Sequence, residues 1–155
     1  GTIMLKIKIE KIVEAFNVIT NDYSAYFNKE TYQIVFLSDE YQMIASDDYD
    51  LTKFNDWEKE EINRAEEVLY TDKYLSLPLK YDLHEYQIMK NFCLTLPDFL
   101  INIFRDALSK KGAFSNFKFL INKHHLTEKW YQYKHNEFIR IAIEWCQSNG
   151  ISYTK

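Results

Sequence analysis

Residues 23–37 read YSAYFNKETYQIVFL, and this stretch decides the fold. The runs 23–28 and 31–37 are rich in aromatic and β-branched side chains, and Asn28, Lys29 and Glu30 between them make a turn of the length a hairpin needs. Tyr32, Ile34 and Phe36 alternate with Gln33, Val35 and Leu37, so the second strand is expected to be covered on both sides. Toward the N-terminus, Ile9, Ile12, Val13 and Phe16 recur at helical spacing. They predict a short amphipathic helix over residues 7–17 with Lys6, Lys8 and Lys11 on its wet side.

Toward the C-terminus, residues 38–55 show no sustained period, and with Asp47, Asp48 and Asp50 close together they read as an acidic loop. Asn55 and Glu58 have capping-box spacing and open a helix whose buried stripe is Ile62, Ala65, Val68 and Leu69. Tyr74, Leu75, Ser76 and Leu77 form a short strand ended by Pro78, expected to be a third strand beside the hairpin. Asp82 and Glu85 again have capping-box spacing, ahead of a helix to about Leu94 with Tyr86, Ile88, Met89, Phe92 and Cys93 on its core face.

Thr95, Pro97 and Asp98 start the next helix, which carries Leu100, Ile103, Phe104, Ala107 and Leu108. It stops near Gly112, read as a C-cap or tight joint that needs positive φ. Phe114, Phe117, Leu120 and Ile121 mark a further helix. A last one runs from about Thr127 to Ser148 on Trp130, Phe138, Ile141, Ala142 and Trp145, and Asn149 and Gly150 close it with Ile151 folded back. The predicted class is α+β: a small antiparallel sheet, hairpin plus one short strand, packed against a mostly helical C-terminal half.

The chain has 155 residues, 46% of them apolar, enough for one core, so residues 4–155 are expected to form a single domain. Gly1, Thr2 and Ile3 ahead of Met4 read as added residues, with the native start at Met4. No long uncharged apolar run and no export-signal pattern is present, which predicts a cytoplasmic protein without a membrane partner. Cys93 and Cys146 each fall on an apolar helical face and read as buried, reduced thiols. The net charge of −4 conceals an asymmetry, because residues 1–72 hold 16 acids against 7 bases and residues 73–155 hold 7 against 12.

The motifs Leu96-Pro97-Asp98, Lys111-Gly112-Ala113-Phe114 with Phe117-Lys118, Trp130-Tyr131, Ile143-Glu144-Trp145 and Asn149-Gly150-Ile151 resemble a bacterial uncharacterised protein family, number zero-one-five-eight of the UPF series. The N-terminal half is similar to it through Tyr26, residues 31–37, and the stretch from Leu77-Pro78 to Tyr86. The resemblance implies a small bacterial cytoplasmic protein with no settled activity, and it brings no catalytic residues. The turn Asn28-Lys29-Glu30 departs from the family's hairpin in lacking a glycine.

Two surfaces carry functional expectations. Exposed aromatics near the glycine joint, with Lys111, Gly112, Phe114, Phe117, Trp130 and Tyr131, point to a protein partner or self-association, because large rings bring contact area at low entropy cost. Alternatively Arg105, Lys110, Lys111, Lys118, Lys123, Lys129 and Lys134 neutralise phosphates while Phe119, Tyr131 and Tyr133 stack on bases, the pattern of a single-stranded nucleic-acid surface.

No catalytic residue and no cofactor is assigned. Three glycines cannot build a phosphate-cradling loop, and no Gly-x-Ser-x-Gly turn occurs. Adjacent His124 and His125 diverge, His135 and Glu137 do not rescue the geometry, and the Asp47, Asp48 and Asp50 run lacks the glycine and terminal glutamate of a calcium loop, so no metal site is expected. A small hydrolytic enzyme would need two titratable side chains converging in a pocket. The reading is therefore a non-enzymatic interaction or regulatory module.

Overall fold

Asn28 closes the hairpin. In the computed structural model, which describes residues 4–155, its side-chain carbonyl accepts the N–H groups of Glu30 (2.8 Å) and Thr31 (3.1 Å), and its backbone carbonyl accepts that of Tyr32 (2.8 Å). Tyr32 takes the left-handed conformation (φ 59°) in place of a turn glycine, and its ring is held edge-on against Phe27 at 4.9 Å. The turn therefore runs on to Tyr32, and the second strand begins three residues later than the alternation predicts. The reading of Gly1, Thr2 and Ile3 as added residues lies outside the described residues.

The first strands and helices are β1 (Ile7–Lys8), α1 (Ile9–Val18), β2 (Tyr23–Asn28), β3 (Ile34–Ser38), α2 (Asp39–Ala45), α3 (Asp56–Tyr70) and β4 (Tyr74–Ser76). There follow α4 (Glu85–Cys93), α5 (Asp98–Ser109), α6 (Ala113–Lys123), α7 (Thr127–Asn149) and β5 (Tyr153–Thr154). The class is α+β, as expected, and the chain forms two compact units: residues up to Leu83 with Ala142–Lys155, and His84–Ile141.

In the first unit the antiparallel order is β3-β2-β4, with Phe27 opposite both Ile34 and Leu75. Strand alternation sends Leu37 to one face, where it forms a buried cluster with Tyr41, Ala45, Ile62 and Ala65 from α2 and α3. Phe27, Ile34 and Phe36 point to the other face, where the Trp145 ring meets Phe27 edge-on at 5.5 Å. The capping box is formed: Asn55 accepts the Glu58 N–H at 2.9 Å, and Glu58 accepts the Asn55 N–H at 3.2 Å.

Two elements depart from the expectation here. The supposed acidic loop contains α2, whose N-cap Ser38 accepts the Tyr41 N–H at 3.3 Å and whose first turn carries Asp39 and Glu40, well placed for the dipole. β1 and β5 make a parallel pair, Ile7 opposite Tyr153. The chain end otherwise follows expectation: Gly150 has φ 67°, and buried Ile151 donates its N–H to Cys146 at 2.9 Å.

The second unit has an aromatic centre. Phe117 sits edge-on to Trp130 (4.8 Å), Phe104 (5.9 Å) and Phe92 (6.3 Å). Gly112 adopts the predicted positive φ (79°), but as the N-cap of α6, since α5 ends at Ser109. Asp82 does not cap α4: its carboxylate accepts the Leu79 N–H at 3.0 Å, and left-handed His84 (φ 51°) takes the N-cap position.

Candidate binding cleft

Helix α4 buries Ile88, Met89, Phe92 and Cys93 and leaves Tyr86, Lys90 and Leu94 on its open side. Helix α5 buries Leu100, Phe104 and Leu108, which leaves Ile101 and Arg105, one turn apart, facing α4. Between the two helices lies a cleft of about 440 Å³, walled by Leu94, Ile101 and Leu108 and carrying the cations Lys90 and Arg105. Such a volume is within the range of ordinary ligand sites.

Tyr86 organises this cleft. Its hydroxyl donates to the Leu108 carbonyl at 2.8 Å, one of the orphan acceptors in the last turn of α5. Lys90 lies 5.6 Å above its ring, and the ring of exposed Phe114 is 6.4 Å away. Arg105 is exposed and makes no hydrogen bond or ion pair among the described residues. Its charge is thus uncompensated beside apolar walls. Cys93 also lines the cleft, with burial holding its thiol at a pKa of about 11, so it stays protonated at neutral pH. The hydroxyl of Ser109, on the same wall, is spent on the Asp106 carbonyl at 2.7 Å.

The residues expected at a partner surface divide. Lys111, Gly112, Phe114 and Tyr131 are exposed, with Phe114 joining the cleft through Tyr86. Phe117 and Trp130 are buried in the aromatic centre and offer no surface.

The basic residues also scatter. Arg105 lines the cleft, Lys110 is bound to Asp106 at 2.9 Å, and Lys134 lies 3.8 Å from Glu85 and over the Phe138 ring. Lys111, Lys118, Lys123 and Lys129 stand exposed on the joint before α6, on α6 and on α7. Of the proposed stacking rings, Phe119 and Tyr131 are exposed, and Tyr133 is half-buried 5.4 Å from Phe92.

Tyr86, placed on the core face by periodicity, is 40% exposed, and with Lys90 it is what the sequence reading missed. The available signal was the i,i+4 spacing of a ring and a cation on α4. Among the described residues no group of three or more His, Cys, Asp or Glu is placed to hold a metal ion, and no helix is long and apolar enough to cross a membrane.

The described residues thus form an α+β fold with a cationic, apolar-walled cleft between α4 and α5. The chain belongs to the uncharacterised protein family UPF0158, whose family model matches residues 3–155. No curated protein and no solved structure matches it.

Proposed function

We propose that this chain is a non-enzymatic protein-interaction module whose α4–α5 cleft holds an acidic, apolar-flanked segment of a protein partner. The observation that carries the reading is Arg105, a guanidinium with no ion pair among the described residues, beside the apolar walls of Leu94, Ile101 and Leu108. Water excluded by a docked apolar group would strengthen the pairing of Arg105 and Lys90 with a carboxylate. Tyr86 and Phe114 supply the rigid aromatic anchors that dominate binding energy at such surfaces. Unit His84–Ile141 adds a favourable field, with nine Lys and Arg against five Asp and Glu, a balance of +4.

The test is quantitative affinity capture from a lysate with the wild type, Arg105→Glu and Tyr86→Ala, the folding of each checked by circular dichroism. A partner recovered with the wild type should fall at least about tenfold with Arg105→Glu, an exposed change expected to leave stability within about 0.5 kcal/mol. Equal recovery with the variants overturns the reading. So does salt-sensitive binding of single-stranded RNA that Lys111→Glu and Lys118→Glu abolish and Arg105→Glu leaves intact, which would make nucleic acid the ligand.

A further inference from the structure

The three-stranded sheet of the first unit has two edges, β3 and β4, and they are finished differently. On β4 the outward-facing carbonyl of Ser76 is taken by the Trp145 indole N–H at 3.1 Å. On β3 the phase of the ladder follows from two bonds, Asn28 N–H to the Gln33 carbonyl (2.8 Å) and Asp39 N–H to the Asp22 carbonyl (2.9 Å). In an antiparallel pair the bonded positions alternate, so Val35 and Leu37 bond to β2 while the N–H and C=O groups of Ile34 and Phe36 point away from it. Among the described residues, no backbone group takes them. β3 reads Ile-Val-Phe-Leu-Ser, with no charge, no proline and no bulge to blunt the edge.

Beside this edge, between α1 and β3, runs a groove of about 450 Å³ bounded by Ala15, Val18, Ile34 and Phe36. Its two charged lining residues, Lys11 and Glu14, lie 3.8 Å apart and offset each other. An uncharged, extended segment with apolar side chains at alternate positions satisfies both edge and groove, and β3 is itself such a segment.

We propose that a second copy of this chain pairs antiparallel on the β3 edge, about a two-fold axis through Phe36. Phe36 then faces Phe36 of the other copy, and Ile34 faces Ser38, adding about four unshared hydrogen bonds in three pairs, because the Ser38 carbonyl already accepts the first helical bond of α2. Asp39 falls opposite Gln33, so no like charges meet across the axis. The Ile34 and Phe36 side chains of the incoming strand lie on the groove's face of the continuous sheet. This association is independent of the α4–α5 cleft.

Sedimentation velocity of the full chain from roughly 5 to 200 μM tests it, with amide exchange read at both ends of the range. Rising concentration should shift the mass toward the dimer and slow exchange at Ile34 and Phe36, with no slowing at Ser76. Ile34→Lys, which puts a charge at the edge without touching the ladder to β2, should weaken the dimer at least about tenfold. Arg105→Glu should leave it unchanged. A monomer at every concentration overturns the proposal, as does a dimer that persists in folded Ile34→Lys. Should Ile34→Lys not fold, wild-type exchange decides: a dimer forming with Ile34 and Phe36 still exchanging freely places the contact elsewhere.

Discussion

Cys93 and Cys146 show how far single side chains could be read in advance. Both are buried and free, as their places on apolar faces predict, and burial raises each thiol to about 11 from an ordinary 9.0. A raised folded-state pKa means that below pH 9 both states keep the protons and stability is unaffected. Between about 9 and about 11 only the unfolded chain sheds them, so stability falls through that window. Native protein at pH 8 should therefore label with a maleimide far more slowly than urea-unfolded protein, and the urea midpoint should drop as pH rises past 9. Fast native labelling of both thiols would contradict the burial. Gly112 was legible for the same kind of reason, since its left-handed backbone leaves glycine the natural choice. Phe117, Trp130 and Tyr86 were not. Helical spacing says that aromatic residues share a stripe but not which ring closes the centre, so Phe117 and Trp130 went inside while Tyr86 stayed at the surface to cap α5.

Elements were legible where a local chemical device defines them and obscure where a distant partner does. β2 and the start of α3 needed nothing beyond their own residues, a run of aromatic side chains in one case and reciprocal capping in the other. The cap gives a direct check: Asn55→Ala removes the acceptor for the Glu58 N–H and should cost about 1 kcal/mol, while Asn55→Ser should lose little. Urea denaturation of the two variants would show it, and equal midpoints would mean that solvent serves the Glu58 N–H as well. α2 escaped notice because its core residues Tyr41 and Ala45 span a single turn, too short for a period among Asp39, Glu40, Asp47 and Asp48. The pairing of Ile7 with Tyr153 joins opposite ends of the sequence, and two-residue strands carry no alternation to betray it. The candidate cleft was half visible: Arg105 and Phe114 stood out by composition, whereas Lys90 and Leu94 matter because α4 lies beside α5.

For the molecule as a whole, the α+β class followed from the order of elements, and the question that order leaves is cooperativity. Helix α7 is continuous from Thr127 to Asn149, with residues 127–141 in one compact unit and 142–149 in the other. Its last two turns bring Trp145 to Phe27 and Ser76 in the first unit. An isolated helix of about eight residues is not stable in water, because nucleation is costly and few bonds repay it. Those turns therefore draw on the hydrogen bonds propagated from residues before 142, and the first unit needs them formed. We expect the units to melt together, as the single-domain reading of residues 4–155 requires. Scanning calorimetry should show one transition with an enthalpy of about 110 kcal/mol near 60 °C, equal to the van't Hoff value. Amide exchange followed through the urea transition should give one midpoint for the buried amides of both units, Leu37 and Ile62 in the first and Phe104 and Phe117 in the second. Two resolved transitions, with the two sets of amides following different ones, would mean that the helix frays at the junction and that each unit holds its own core unaided.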